Sequence, residues 1–315
     1  MAVTVSMRKT YGTALVALGK KHENVVALSA DVANSDHSYM FAEAFPDRFV
    51  NVGIAEQSLV DVAAGLANTG KIPFANTFAF LFATRALEMI RTHLCYGKSN
   101  VKLMGAYAGL SDSFDGPTHH SITDLAILRS LPEMTIIVPS DPHSVGTFLE
   151  QVAEIDGPVY CRLNRNDVPV IYGDEYRPVV GKAYTARDGG DLTIIACGLM
   201  VSRALAAADQ LAGNGIKARV LDMHTIKPLD VDAVLSAARE TGAIVTCEEH
   251  SVVGGLGGAV AEVLVENAPV PMRRVGVDDR FAETGPYEEI LNAYGMAIND
   301  IVRAAEDVVG RKGGT

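Results

Sequence analysis

The chain has 315 residues, of which 48% are hydrophobic, enough for two ordinary domains with their own cores. A formal charge of −11 and a pI near 5.2 exclude a broad nucleic-acid or anionic-membrane surface, while leaving room for a local basic pocket that takes an anion. Cys95, Cys161, Cys197 and Cys247 lie far apart with no paired spacing, which reads as buried thiols in a reducing, cytoplasmic compartment rather than disulfides or a zinc site.

In chain order, Arg8 and Lys9 precede any apolar periodicity and no apolar run approaches the roughly eighteen residues of a span, so neither a signal peptide nor a membrane helix is expected. Short β-rich runs then alternate with helical stretches, the pattern of βαβ units and parallel sheets. A first series of strands is expected at 25–29, 49–52, 72–76, 101–105, 135–138 and 159–162. The run at 49–52 reads as a short buried strand, Gly53 lets the backbone turn, and an alanine-rich amphipathic helix should follow over 55–68. Glu56, in Ile54-Ala55-Glu56-Gln57, therefore sits where a strand ends and a helix begins, the edge at which open α/β sheets bind ligands. A carboxyl group held there among apolar neighbours suits proton transfer, and the alternative is a first-turn residue that stabilises the helix macrodipole.

After the strand at 72–76, Phe74, Phe78, Phe80 and Phe82 put four aromatics into nine residues of a chain that is 6% aromatic. Such a group forms either core or a bed for a flat heteroaromatic ring, and Phe78 stands at the turn itself. The strand at 101–105 leads into a loop that combines Asp115, His119 and His120 with Gly109, Gly116 and Pro117. That is too rich in titratable groups and turn formers for a simple connector; a metal loop or capping histidines are the alternatives. Residues 166–191 lose periodicity and gather Pro169, Gly173, Pro178, Gly181, Gly189 and Gly190, marking a linker with a short strand near 182–185. A second series of strands follows at 192–196, 218–223, 243–248 and 272–277, with helices at 201–213, 230–241, 256–267 and 298–309. The expected fold is α/β, with two domains at 1–170 and 191–315 joined by a linker at 171–190, each a mostly parallel sheet flanked by helices.

Ile54-Ala55-Glu56-Gln57 followed by Ala63-Ala64-Gly65-Leu66-Ala67, then Asp115-Gly116-Pro117-Thr118-His119, Leu131-Pro132-Glu133-Met134 and Pro139-Ser140-Asp141 give the whole chain an appearance that resembles the second half of thiamine-diphosphate enzymes of the transketolase family. The resemblance implies a pyrimidine-binding domain followed by the family's carboxyl-terminal domain. In the family, the glutamate matched by Glu56 hydrogen-bonds a nitrogen of the cofactor's aminopyrimidine, favours the imino tautomer, and so creates the base that removes the thiazolium proton. Phe78 matches an aromatic that packs on that ring; the next aromatic positions of full-length transketolases fall on Leu81 and Thr84, leaving Phe80 or Phe82 as partial substitutes. Asp31 matches a cofactor-placing segment, and Ser35 of the same segment faces the far end of a phosphosugar. Arg8 and Arg165 match arginines that grip its phosphate, for which a planar guanidinium is suited. Asp115 matches an aspartate that reads a sugar hydroxyl, and His119 a histidine near substrate hydroxyls. Tyr107 departs from the pattern, standing close to where a substrate-facing histidine is expected.

Full-length transketolases also carry, in their first half, a Gly-Asp-Gly motif and an asparagine that hold magnesium on the cofactor's diphosphate; this chain lacks that motif. Gly173-Asp174-Glu175 and Asp188-Gly189-Gly190-Asp191 read as turns, and Gly254-Gly255-Leu256-Gly257-Gly258 as packing at the start of a helix, since it lacks the Lys-Ser/Thr ending of a phosphate loop. The resemblance thus implies a split enzyme. A partner subunit would bring the diphosphate-binding domain and the magnesium ligands, in a two-plus-two heterotetramer that moves a two-carbon ketol unit between small anionic sugars. The β subunit of a 2-oxo-acid dehydrogenase shares the two-chain plan, a deoxyxylulose-phosphate synthase shares the Ile-Ala-Glu-Gln signature, and a non-catalytic subunit of the same fold is the third alternative.

Overall fold

A computed structural model describes residues 3–312. In chain order its strands are β1 (Thr4–Ser6), β2 (Val25–Ser29), β3 (Phe49–Asn51), β4 (Ile72–Phe78), β5 (Lys102–Ala106), β6 (Thr135–Ile137) and β7 (Val159–Arg162). They continue with β8 (Asp167–Pro169), β9 (Tyr184–Arg187), β10 (Leu192–Ala196), β11 (Ala218–Asp222), β12 (Thr225–Lys227), β13 (Ile244–Ser251) and β14 (Met272–Val277). The first sheet runs β12-β6-β7-β5-β4-β2-β3 and the second β14-β13-β10-β11-β9. Each is parallel apart from one edge strand, β12 against β6 and β9 against β11. The α/β, two-sheet expectation therefore holds.

Strand β2 shows why its sequence is continuously apolar. Val25 and Ala27 join one hydrophobic cluster while Val26 and Leu28 join the other, so both faces of the sheet are covered and no polar face is needed. The helix Glu56–Ala67 buries Leu59, Val60, Ala63 and Ala64, a three-to-four residue spacing that places one stripe on the sheet. The helix Met7–Lys21 starts at Ser6, whose hydroxyl accepts from the Lys9 amide at 3.2 Å, and buries Met7, Tyr11, Leu15 and Leu18.

Two features differ from the sequence reading. Strand β3 is an edge strand that pairs with β2 alone, with Phe49 half-buried and Val50 and Asn51 exposed rather than buried; its β-branched and aromatic composition is equally suited to a pleated edge. Strand β12 leaves the second half of the chain to pair antiparallel with β6, completing the first sheet. Three residues are too few to show a period, and their partner lies far away in sequence. The two halves also meet through Arg162, buried on β7, which donates to Asp124 at 2.8 and 2.9 Å and to the Glu249 carbonyl of β13 at 3.1 Å. Among the described residues, no helix is long and apolar enough to cross a membrane.

Candidate active site

The carboxyl ends of β2, β3, β4 and β5 lie side by side, because these strands are parallel neighbours in the first sheet. Their loops carry Asp31 and Ser35, Glu56, Phe78, and Tyr107 with Asp115 and His119, respectively. Asn51 pins two of these loops together. Its Oδ1 accepts from the amides of Asp31 and Gly53 at 3.1 and 3.0 Å, while its Nδ2 donates to Asp31 Oδ1 at 2.9 Å. The Asp31 loop needs this help, since Asp31 has a φ of 62°, whereas Gly53 takes its φ of 77° at no steric cost.

Glu56 is the first residue of its helix and only 2% exposed. Arg85, itself exposed, donates through Nη1 to Glu56 Oε2 at 3.4 Å, a long contact from the rim. Ile54, two residues earlier, is 77% exposed, so a buried carboxyl sits beside an uncovered apolar side chain.

Further along the edge, Tyr107 adopts a φ of 59° and brings its ring within reach of two guanidinium groups, Arg8 at 5.1 Å and Arg165 at 5.0 Å from the centroid. Arg8 donates through Nε to the Arg165 carbonyl at 2.8 Å, through Nη1 to the Tyr107 hydroxyl at 3.2 Å, and also to the Ser35 carbonyl. Arg165 pairs with Asp112 and stands 3.6 Å from Asp115. Burial and the neighbouring Asp115 push the Asp112 carboxyl up to about 7, against the pull of Arg165. Burial likewise raises Asp36, within electrostatic reach of Arg8, to about 6.

The Phe78 ring meets Tyr107 edge-on at 4.6 Å, and His119 lies 6.4 Å from Phe78 and 5.3 Å from Phe80. His119 Nδ1 is 3.0 Å from the Thr118 hydroxyl. The adjacent His120 is buried with neither ring nitrogen hydrogen-bonded, and its burial holds the imidazole below its ordinary pKa. Phe82 is a correction. It is 0% exposed and packs against Tyr160 in the core, so it offers no face to a ring; Phe80, half-buried against His119, is the second aromatic at the edge. Helical spacing explains the exchange, because Phe80 and Phe82 fall on different sides of the helix Ala79–Thr84.

Asn51, Arg85, Asp36 and Asp112 went unassigned in the sequence. Asp112 had a signal, an aspartate in a loop already rich in functional groups, and Asp36 only its place beside Ser35; nothing local shows that either is buried. The glycine run at 254–258 holds no phosphate site: Glu248 accepts from the amides of Leu256 and Gly257 at 2.7 Å each, filling that helix start with the protein's own carboxylate.

This loop-borne set lies at the carboxyl edge of a parallel sheet, the edge at which open α/β folds bind ligands. Residues 3–170 match the sequence model of the transketolase pyrimidine binding domain and residues 181–301 that of the transketolase C-terminal domain, and the chain belongs to the transketolase family. It is 43% identical to the 6-deoxy-6-sulfo-D-fructose transketolase subunit SqwH of a Clostridium species, over 97% of this chain and 95% of that one. It is 41% identical to a subunit of the apulose-4-phosphate transketolase of Phocaeicola vulgatus, over 97% and 98%. Rat transketolase is 37% identical over 97% of this chain but only 49% of its own length. Among solved structures, a split-gene transketolase in the form of an inactive β4 tetramer matches with a TM-score of 0.91 at 46% identity, covering 97% of this chain and 99% of that one.

Proposed function

We propose that this chain is the carboxyl-terminal subunit of a two-chain, thiamine-diphosphate-dependent transketolase that moves a two-carbon ketol unit from an anionic ketose to an aldose. Its pyrimidine-binding domain would span 1–170, its linker 171–190 and its carboxyl-terminal domain 191–315. The observation that carries the reading is the single sheet edge that gathers a buried Glu56, the Phe78 and Phe80 rings, and the Arg8 and Arg165 pair.

These groups suit a flat, nitrogen-bearing ring with a sugar beyond it. The Glu56 carboxyl would hold a hydrogen bond to a ring nitrogen, the bond that tunes the ring's basicity. Phe78 would support the ring face, with Asp31 orienting the loop beside it. Thiamine diphosphate supplies the stabilised carbanion chemistry that ketol transfer requires. His119 would move protons on substrate hydroxyls, Asp115 would read one hydroxyl, and Ser35, Tyr107, Arg8 and Arg165 would line the end that receives the anion.

The diphosphate and magnesium ligands are assigned to a partner subunit. Support comes from relatives of nearly equal length named as subunits, and from the inactive β4 tetramer of a split-gene transketolase. Two copies of each chain would form the working enzyme in the cytoplasm. The two subunit relatives are named for a sulfonated and a phosphorylated sugar, which supports an anionic ketose here. The test is to assay this chain alone, the chain encoding the Gly-Asp-Gly half alone, and the mixture, against a panel of ketose donors with thiamine diphosphate and magnesium. Ketol transfer only in the mixture supports the reading. Turnover by this chain alone, or none by the mixture with any ketose, defeats it.

A further inference from the structure

The two arginines at the anion end are not free cations. Arg165 already pairs with Asp112, which is 0% exposed, and lies 3.6 Å from Asp115. Arg8 spends donors on the carbonyls of Ser35 and Arg165 and on the Tyr107 hydroxyl, with the buried Asp36 in electrostatic reach. Arg165 is thus faced by two carboxyl groups, and a third, that of Asp36, lies within electrostatic reach of Arg8. The second oxygen of Asp112, Oδ2, is buried with no hydrogen-bond partner, as is Oδ2 of Asp36.

We infer that Asp112 sets the charge of the anion accepted here, so that the arginine pair takes a singly charged tetrahedral head such as a sulfonate in preference to a doubly charged phosphate. The inference rests on the anionic-ketose reading above. A sulfonate and a phosphate share a tetrahedral head with three terminal oxygens; a phosphate ester adds a bridging oxygen and a second negative charge, and it is that charge which meets Asp112 across Arg165. Like charges a few ångströms apart in a half-buried site repel far more strongly than in water. Asp112 touches no sugar in this scheme. It acts through Arg165, by neutralising part of its charge and fixing its direction.

The experiment uses the complex of this chain with its diphosphate-domain partner, supplied with two ketoses that differ only in a terminal sulfonate or phosphate, at pH 8, where the phosphate is a dianion. For the unaltered complex, kcat/KM should favour the sulfonate. Asp112→Asn should move the ratio toward the phosphate by about tenfold, the effect of removing one close like charge. Asp112→Ser, which is smaller and also uncharged, serves the same purpose should the amide fail to fold. A merely structural role would lower both rates together and leave the ratio alone. An unchanged ratio in the variant that folds, or a phosphate preference in the unaltered complex, overturns the inference while leaving ketol transfer standing. No turnover of any ketose overturns the functional reading, and this inference with it.

Discussion

Arg8 donates through Nε to the main-chain carbonyl of Arg165 at 2.8 Å, and the two guanidinium groups converge on one ring, 5.1 and 5.0 Å from the Tyr107 centroid. Each arginine therefore helps to place the other. A fork of this kind presents several N–H groups to one anionic head in fixed planar directions, whereas a lysine offers a rotating point charge.

Replacing Arg165 with Ala should raise KM for an anionic ketose by about ten- to a hundredfold, the range for lost hydrogen bonds to a charged group, while an uncharged ketose is affected much less. Steady-state kinetics of the complex with matched charged and uncharged donors checks this. Equal losses for both donors would show that the pair does not grip an anion.

Glu56→Gln keeps the size of the side chain and its place at the helix start but removes the ionisable carboxyl. The complex should bind thiamine diphosphate with similar affinity and lose roughly a hundredfold or more in kcat, as expected when a proton-transfer group is removed. Calorimetric cofactor titration and initial rates separate the two effects; near-normal turnover would remove Glu56 from the chemistry.

Asp222 gives a pH prediction. Burial raises its carboxyl to about 7, while Ser140, Tyr172 and Tyr176 donate hydrogen bonds that pull the other way. The folded state therefore keeps a proton that the unfolded chain releases near its ordinary 3.8. This stabilisation is complete below about pH 4 and is lost as pH rises to about 7. In Asp222→Asn nothing titrates at this position, so the stability of the variant relative to the unaltered chain should climb by about 1–3 kcal/mol between pH 5 and pH 8. Thermal or urea unfolding across that range reads it, and a flat difference would count against a protonated Asp222.

Gly116 has a φ of 83°, and a Cβ there would lie 2.3 Å from the Thr284 hydroxyl oxygen of the second half of the chain. Nearby, the Gly285 amide donates to the Ser113 carbonyl at 3.1 Å, so this loop is held from outside its own sheet. Gly116→Ala should cost about 1–2 kcal/mol in stability from backbone strain and should raise substrate KM by displacing Asp115. Unfolding measurements and kinetics on the same preparation test both halves, and unaltered stability would show that the loop yields easily.

What the sequence by itself determined is the part written in short-range pattern. Alternating apolar runs and helical stripes specify the two parallel sheets because burial on both faces demands such runs, and the Gly53 turn before Glu56 is legible because a positive φ and a helix start are local events. The grouping of Glu56, Phe78, Arg8 and Arg165 was legible through the linear order of motifs, not through any single one. Only the tertiary structure decided which residues share a space. Phe82 turned into the core and Phe80 toward His119, β12 crossed to the first sheet, and Asp112 met Arg165 across 53 positions of sequence. Such pairings follow from strand order and from competition for buried volume. Neither leaves a trace in the spacing of neighbouring residues, which is why the charge balance at the arginine pair is visible only in the folded chain.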